Sequence, residues 1–297
     1  MNFTEEAIHF TCEGEHLMGI VAKPEIPATV GVVVIVGGPQ YRAGSHRQFV
    51  LLSRALASSG IAVLRFDYRG MGDSAGDLRD FEAVSSDVGA AIQALQTAVP
   101  TVQRIVLWGL CDGASAALMY CHQTADSRVA GLCLLNPWVR SVASLARTQV
   151  KHYYAQRLMQ RAFWAKLVKG GVALKALSGL AANLRVALLG ARASGAGLPA
   201  NPPNQPNHRA AEPFQTQMAK AWNNFPGAIC LILSGNDYTA KEFLEHQTQA
   251  KQWREAMNHP RLSRHDLPEA DHTFSGEPDR QAAESLTVVW LSESLPQ

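Results

Sequence analysis

Five short, mostly apolar and β-rich runs punctuate the chain, at residues 31–36 (GVVVIV), 62–66 (AVLRF), 104–108 (RIVLW), 131–135 (GLCLL) and 228–233 (AICLIL). Each is bounded by Gly, Pro, Asn or Asp. Continuous apolar runs of this length fit strands buried on both faces, as in a parallel sheet. Ahead of them, residues 5–23 alternate in polarity around Gly14, the pattern of an antiparallel hairpin. Helical periodicity fills the spaces between runs, at 47–59, 81–96, 114–123, 240–249 and 280–294, and the segment LSRHDL at 262–267 reads as a last strand. Strands alternating with helices imply right-handed crossovers and a sheet with helices on both faces, an α/β architecture.

The interval 139–225 breaks this rhythm because it contains no convincing strand. Residues 149–168 and 172–189 predict two helices, and GLPANPPNQPNH (197–208) predicts an irregular connector. The domain reading is therefore a core of 1–138 and 226–297 carrying a helical cap at 139–225.

Charge sharpens that division. The formal net charge is only +2, yet no Asp or Glu occurs between Pro137 and Ala211, where 11 of the 27 Lys and Arg residues fall. The remainder of the chain holds 16 basic against 25 acidic residues, so a core of about −9 carries an insertion of +11. Val150, Tyr154, Leu158, Phe163 and Leu167, then Leu174, Leu177, Leu184 and Leu188, recur there at near-helical spacing. A basic amphipathic helix pair can act as a plain lid, lie on an anionic membrane surface, or receive an acidic partner such as an acyl carrier protein. All three readings stay open at this stage.

Composition, with 47% hydrophobic and 18% charged residues in 297, suits a globular enzyme and argues against disorder. No run approaches the roughly 18 apolar residues of a membrane span. The opening MNFTEEAIHF has acidic residues where a signal peptide would be basic, so the expected compartment is the cytoplasm. Five cysteines with no close CxxC pair suggest neither a disulfide framework nor a zinc site. No metal, organic cofactor or nucleic-acid partner is implied.

The chemistry concentrates at the ends of the apolar runs. Gly109-Leu110-Cys111-Asp112-Gly113 follows RIVLW and precedes the small-residue helix ASAALMY. A strand-to-helix turn this sharp exposes its central side chain, and flanking glycines permit the close approach. Cys111 is the candidate nucleophile, at a helix N-terminus that favours a thiolate. His272, in the polar loop after the last strand, is the candidate base, with His265 a rival placed within the strand itself. Asp237, just past AICLIL, is the candidate orienting acid, with a helix cap as its alternative role and Asp271 as the fallback. The order nucleophile, acid, histidine is the one associated with a G-x-S-x-G elbow. The amides of Gly38 and Asp112 are the candidate oxyanion hole, because Pro39 cannot donate. Tyr41, Arg42, His46 and Arg47 crowd the next loop and form a candidate anion-binding group, of which Tyr41, His46 and Arg47 are the assigned substrate contacts. Asp67 to Ser74 (DYRGMGDS) reads as structural, its Asp and Arg pinning loops.

With those residues placed, the chain resembles the α/β-hydrolase superfamily. Its GGP turn is similar to the HGGP turn of proline iminopeptidases, with Val36 in place of the usual histidine, and GLCDGA resembles the nucleophile elbow of dienelactone hydrolase, which also uses cysteine. More specifically, VGGPQYRAGSHRQF, FDYRGMGDS, GLCDGAS and DHTFS resemble the type 1 hydrolase associated with exosortase A systems, over nearly the full length. The resemblance implies the α/β-hydrolase fold, roles for Cys111, Asp237 and His272, and a bacterial setting that links exopolysaccharide synthesis to exosortase-dependent sorting. It assigns no substrate. The residues themselves point to cleavage of an ester or thioester, small-molecule or carrier-bound, through an acyl-cysteine. Acyl transfer by the same triad, or a non-catalytic binding protein on this fold, are the alternatives.

Overall fold

The hydrophobic pattern becomes a twisted sheet in the computed structural model, which describes residues 1–38, 40–140 and 212–296. The strands are β1 (Phe3–Cys12), β2 (Glu15–Pro24), β3 (Val30–Ile35), β4 (Ala62–Phe66), β5 (Arg104–Leu110), β6 (Val129–Leu135), β7 (Ala228–Ser234) and β8 (Leu262–Leu267). Among the described residues they form one eight-stranded sheet in the order β1-β2-β4-β3-β5-β6-β7-β8. The pairs β1/β2 and β2/β4 are antiparallel, and every pair from β4/β3 to β7/β8 is parallel. This is the α/β-hydrolase fold.

Burial explains the patterns that predicted it. Strands β3, β4 and β7 are buried at every residue, which is why they read as unbroken apolar runs. The edge strands β1 and β8 alternate between covered and exposed positions, as edges with one wet face should.

Among the described residues the α-helices are α1 (Gln48–Ser58), α2 (Ser85–Ala98), α3 (Asp112–Thr124), α4 (Phe214–Asn224), α5 (Tyr238–Gln249), the single turn α6 (Lys251–Arg254) and α7 (Glu277–Ser294). One layer joins α1 to α7, and another joins α2, α3 and α4. The expected helix at 81–96 is interrupted: Phe81–Ala83 is a separate 3-10 turn, started by the Asp80 side chain accepting from the Glu82 amide, and α2 begins at Ser85.

The chain divides into two units, Met1–Val139 with Glu212–Gln297, and Arg140–Ala211. The cap boundary expected at residue 225 is therefore drawn at 212. Residues 214–224, assigned to the cap on sequence, form α4 and pack on α3 within the core unit. Met218, Ala219 and Trp222 of α4 are buried, and the Trp222 indole donates to the Ala256 carbonyl at 2.7 Å. The two ends of the chain that lead into and out of the insertion are tied by Gln215 Nε2 donating to the Val139 carbonyl at 3.3 Å. The expected helices at 149–168 and 172–189, and the Pro/Asn-rich connector, lie outside the described residues.

Candidate active site

Cys111, Asp237 and His272, each past the end of a strand, lie at one rim of the sheet. Between β5 and α3 the chain turns at Cys111, whose φ of 62° and ψ of −124° lie where a side chain is rarely tolerated. Such a conformation costs about 1–3 kcal/mol and persists only where its surroundings impose it. Here they do. The Cys111 amide donates to the Leu135 carbonyl at 2.9 Å, the Cys111 carbonyl accepts from the Trp138 amide at 3.2 Å, and Ser115 Oγ donates to the Trp138 carbonyl at 2.7 Å. The elbow is thus clamped to the segment that follows β6. Its glycines are required by contact: a Cβ on Gly109 would lie 2.4 Å from the Gly113 carbonyl carbon, and one on Gly113 would lie 2.4 Å from the Ile35 carbonyl oxygen.

His272 follows β8 in a loop shaped by Asp271, whose carboxylate accepts from the amides of Thr273 (3.1 Å) and Ser275 (2.9 Å) and from the Ser275 hydroxyl. Asp271 is therefore occupied in holding the loop. Asp237 instead meets His272, with Oδ2 2.9 Å from the imidazole Nδ1. The Asp237 side chain is 5% exposed and that of His272 35%. Asp237 also accepts from the amides of Thr239 (3.0 Å) and Ala240 (3.2 Å), so it caps α5 as well as holding the histidine. The hydrogen bond to Asp237, followed by the opposing effect of burial, holds the His272 imidazolium above its ordinary pKa of 6.5. His265 lies mid-strand in β8 and is not among the residues lining the cavity that Cys111 and His272 share.

Cys111 and His272 line one cavity of about 330 Å³, together with Gly37, Gly38, Gln40, Phe49, Asp112 and Trp138. A second cavity of about 590 Å³ is lined by Tyr41, Tyr68, Met71, Leu78 and Phe81 among others, and shares Gly38, Gln40 and Asp112 with the first. The Gly38 amide donates to Asp112 Oδ1 at 2.6 Å.

Of the candidate anion-binding residues, Tyr41 borders the second cavity and is 51% exposed. His46 and Arg47 do not come to either cavity. Both are exposed and sit in left-handed backbone, at φ 51° and 62°, in the turn that starts α1. The Arg42 guanidinium is consumed by Asp67 and, at 2.6 Å, by Asp73. The charged residues of the DYRGMGDS turn pin loops as expected, Arg69 being 2% exposed and paired to Asp87 at 2.8 Å and to Glu13 while Ser74 Oγ donates to the Asp67 carbonyl at 2.6 Å, but its Tyr68 and Met71 line the second cavity.

One residue escaped the sequence reading. Asn136, wholly buried with φ of 45°, donates from Nδ2 to Ser234 Oγ (2.9 Å) and to the His272 carbonyl (3.4 Å), and accepts from the Ser234 amide (2.9 Å). It joins the ends of β6 and β7 to the histidine loop. Its only sequence signal is a polar residue directly after an apolar run. Among the described residues, no group of three or more His, Cys, Asp or Glu side chains is arranged to hold a metal ion.

A strained elbow after a parallel strand thus shares a cavity with a histidine held by an aspartate, on the α/β-hydrolase fold. Residues 32–284 match the model of the alpha/beta hydrolase family, and the chain belongs to that family. No curated protein sequence matches it. An esterase of Pyrococcus furiosus shares the fold, with 15% identity, a TM-score of 0.64, and coverage of 99% of this chain and 92% of that one. A ferulic-acid-bound Butyrivibrio proteoclasticus protein, Est1E, is 14% identical with a TM-score of 0.61, covering 98% and 100% of the two chains. Dienelactone hydrolase from Anabaena variabilis is likewise 14% identical, with a TM-score of 0.59 and coverage of 99% and 100%. Among the described residues no helix is long and apolar enough to cross a membrane.

Proposed function

We propose that this protein is a cysteine-dependent acyl hydrolase that cleaves an ester or thioester. Cys111 attacks the acyl carbonyl as the thiolate while His272 holds the proton as an imidazolium, oriented by Asp237. The tetrahedral oxyanion is received by the amides of Gly38 and Asp112. His272 then protonates the departing alkoxide or thiolate, leaving an acyl-cysteine. Water, deprotonated by His272, attacks that thioester and returns the thiol.

The observation that carries this reading is the 2.9 Å contact of His272 with Asp237 at a cavity that His272 shares with Cys111 in its strained turn. The likeness to esterases of known structure is consistent with acyl chemistry on this fold, although fold alone does not carry function. The mostly apolar wall of Met71, Leu78 and Phe81 supplies a place for the acyl group. The sequence resemblance favours an exosortase-linked exopolysaccharide setting in the cytoplasm. In that setting the basic insertion acts as a lid whose charge suits an acidic acyl carrier or an anionic membrane surface.

The test is turnover of a chain-length series of p-nitrophenyl esters and acyl thioesters by the wild type and Cys111→Ala, with mass spectrometry of quenched enzyme. An acyl mass on the peptide carrying Cys111, and turnover lost in the variant, are expected. Equal turnover by both proteins would remove Cys111 from the mechanism. If the acyl-enzyme forms but passes its acyl group to an added alcohol or amine faster than to water, the protein is an acyltransferase using the same residues.

A further inference from the structure

Asp112 contributes more than its backbone amide. Its carboxylate lies against the very donor that an oxyanion would use, with Oδ1 2.6 Å from the Gly38 nitrogen. The fit is close. A Cβ on Gly37 would lie 2.5 Å from this oxygen and 2.3 Å from the Leu110 carbonyl, so the glycine leaves the space that the carboxylate fills. The group is also where the two cavities meet, since Gly38, Gln40 and Asp112 border both. Burial, the largest influence, raises the Asp112 pKa above the usual carboxylate value, against the opposing pull of the Gly38, Asp112 and Gly113 amides and of His272.

Resting on the acyl-enzyme reading above, we infer that Asp112 gates the oxyanion hole: its carboxylate holds the Gly38 amide in the resting protein and must be displaced by the substrate carbonyl before Cys111 can attack. A carbonyl oxygen is a weaker acceptor than a carboxylate, so the displacement is uphill. A substrate recovers the cost by binding elsewhere, and the large cavity offers apolar contact at Met71, Leu78 and Phe81 for that purpose. Binding energy remote from the reacting bond is then converted into access to the transition state. The gate makes the protein discriminate against small acyl groups, which fit the 330 Å³ cavity but bring nothing to the 590 Å³ one.

The experiment compares Asp112→Ala and Asp112→Asn with wild type on p-nitrophenyl acetate and p-nitrophenyl decanoate. Removing the gate should raise kcat/KM for the acetate on the order of tenfold to a hundredfold, the range for one hydrogen bond to a charged group. Decanoate should gain much less, so the ratio between the two substrates falls in Asp112→Ala and falls less in Asp112→Asn, whose amide oxygen still accepts from Gly38. A second readout needs no turnover: the rate of Cys111 labelling by anionic iodoacetate relative to neutral iodoacetamide should rise in both variants, because a fixed negative charge beside the thiol is gone. Cys111-dependent turnover with an unchanged substrate ratio and unchanged labelling ratio overturns the gate and leaves the acyl-enzyme intact. Absence of Cys111-dependent turnover in all three proteins, on both esters, overturns the acyl-enzyme reading and the gate with it.

Discussion

Two buried charge clusters in this core differ in one respect that separates structure from chemistry. In the first, Arg69 is closed on every side: Asp87 takes its Nε and Nη2, Glu13 takes Nη1, and Asp87 also accepts the Arg69 amide. Hydrogen bonds to Asp87, the largest influence, raise the Arg69 pKa further above an already high value. In the second, Asp237 is as buried as Asp87 in effect, but its partner His272 has one face at a cavity and is about a third exposed. A cluster with every donor matched fixes loops. A pair with one side left open can pass a proton to something that enters.

The comparison can be broken at either end. The largest effect is expected from Cys111→Ala, which should lower kcat by about four orders of magnitude or more, with urea midpoints close to wild type. Asp237→Asn should follow, losing on the order of 10³–10⁴ in kcat through loss of imidazolium support. It should cost little stability because Asn caps helices about as well as Asp. A denaturation midpoint that collapses in Asp237→Asn would mean that the second cluster is structural like the first. For the closed cluster the expectation reverses. Asp87→Ala strands a buried guanidinium and should cost about 3–5 kcal/mol in urea unfolding, while protein that remains folded in the cold keeps its rate of Cys111 alkylation. Smaller still is Asn136→Gly, which tolerates the positive φ but leaves the buried Ser234 amide without its acceptor. A loss of about 1–3 kcal/mol is expected, accompanied by a lower kcat as the histidine loop loosens.

The smallest effect is one of pH. His272 has its folded pKa raised above the ordinary 6.5, first by its hydrogen bond to Asp237. A raised pKa means that the folded state binds the proton more tightly than the unfolded one. The stabilisation is therefore fully present below 6.5 and is lost as pH rises through the folded value. The stability difference between wild type and His272→Gln, followed by urea titration, should shrink from acid to alkaline pH. A difference that grows with pH would contradict the sign.

How much of this could be read from the sequence depended on how local the cause was. The strands were legible to within two residues or so because double burial demands unbroken apolar runs and turns demand Gly, Asn or Pro at their ends. The placement of Cys111, Asp237 and His272 at one rim was legible because each is a polar residue just past a strand, at the end of a sheet where side chains converge. Helix α4 was missed although Met218, Ala219 and Trp222 already show helical spacing, because it follows a Pro-rich stretch and was absorbed into the insertion. His46 and Arg47 are a different case. Charge in a loop is visible in sequence, but the left-handed backbone that both residues adopt and their exposure are not. The contact of Asp112 with Gly38 spans 74 residues, and Asn136 reaches loops about a hundred or more residues away. Nothing local announces either.

The hydrogen bond that ties Gln215 to Val139 gives the insertion a closed neck. Chain closure costs rise only logarithmically with the length of what lies beyond such a neck. The 72 residues of the second unit are in that sense a cassette in evolutionary terms, whose length can change at little cost in chain closure. Exchange of this one cassette among relatives would leave Cys111, Asp237 and His272 in the other unit, each still at the end of its strand.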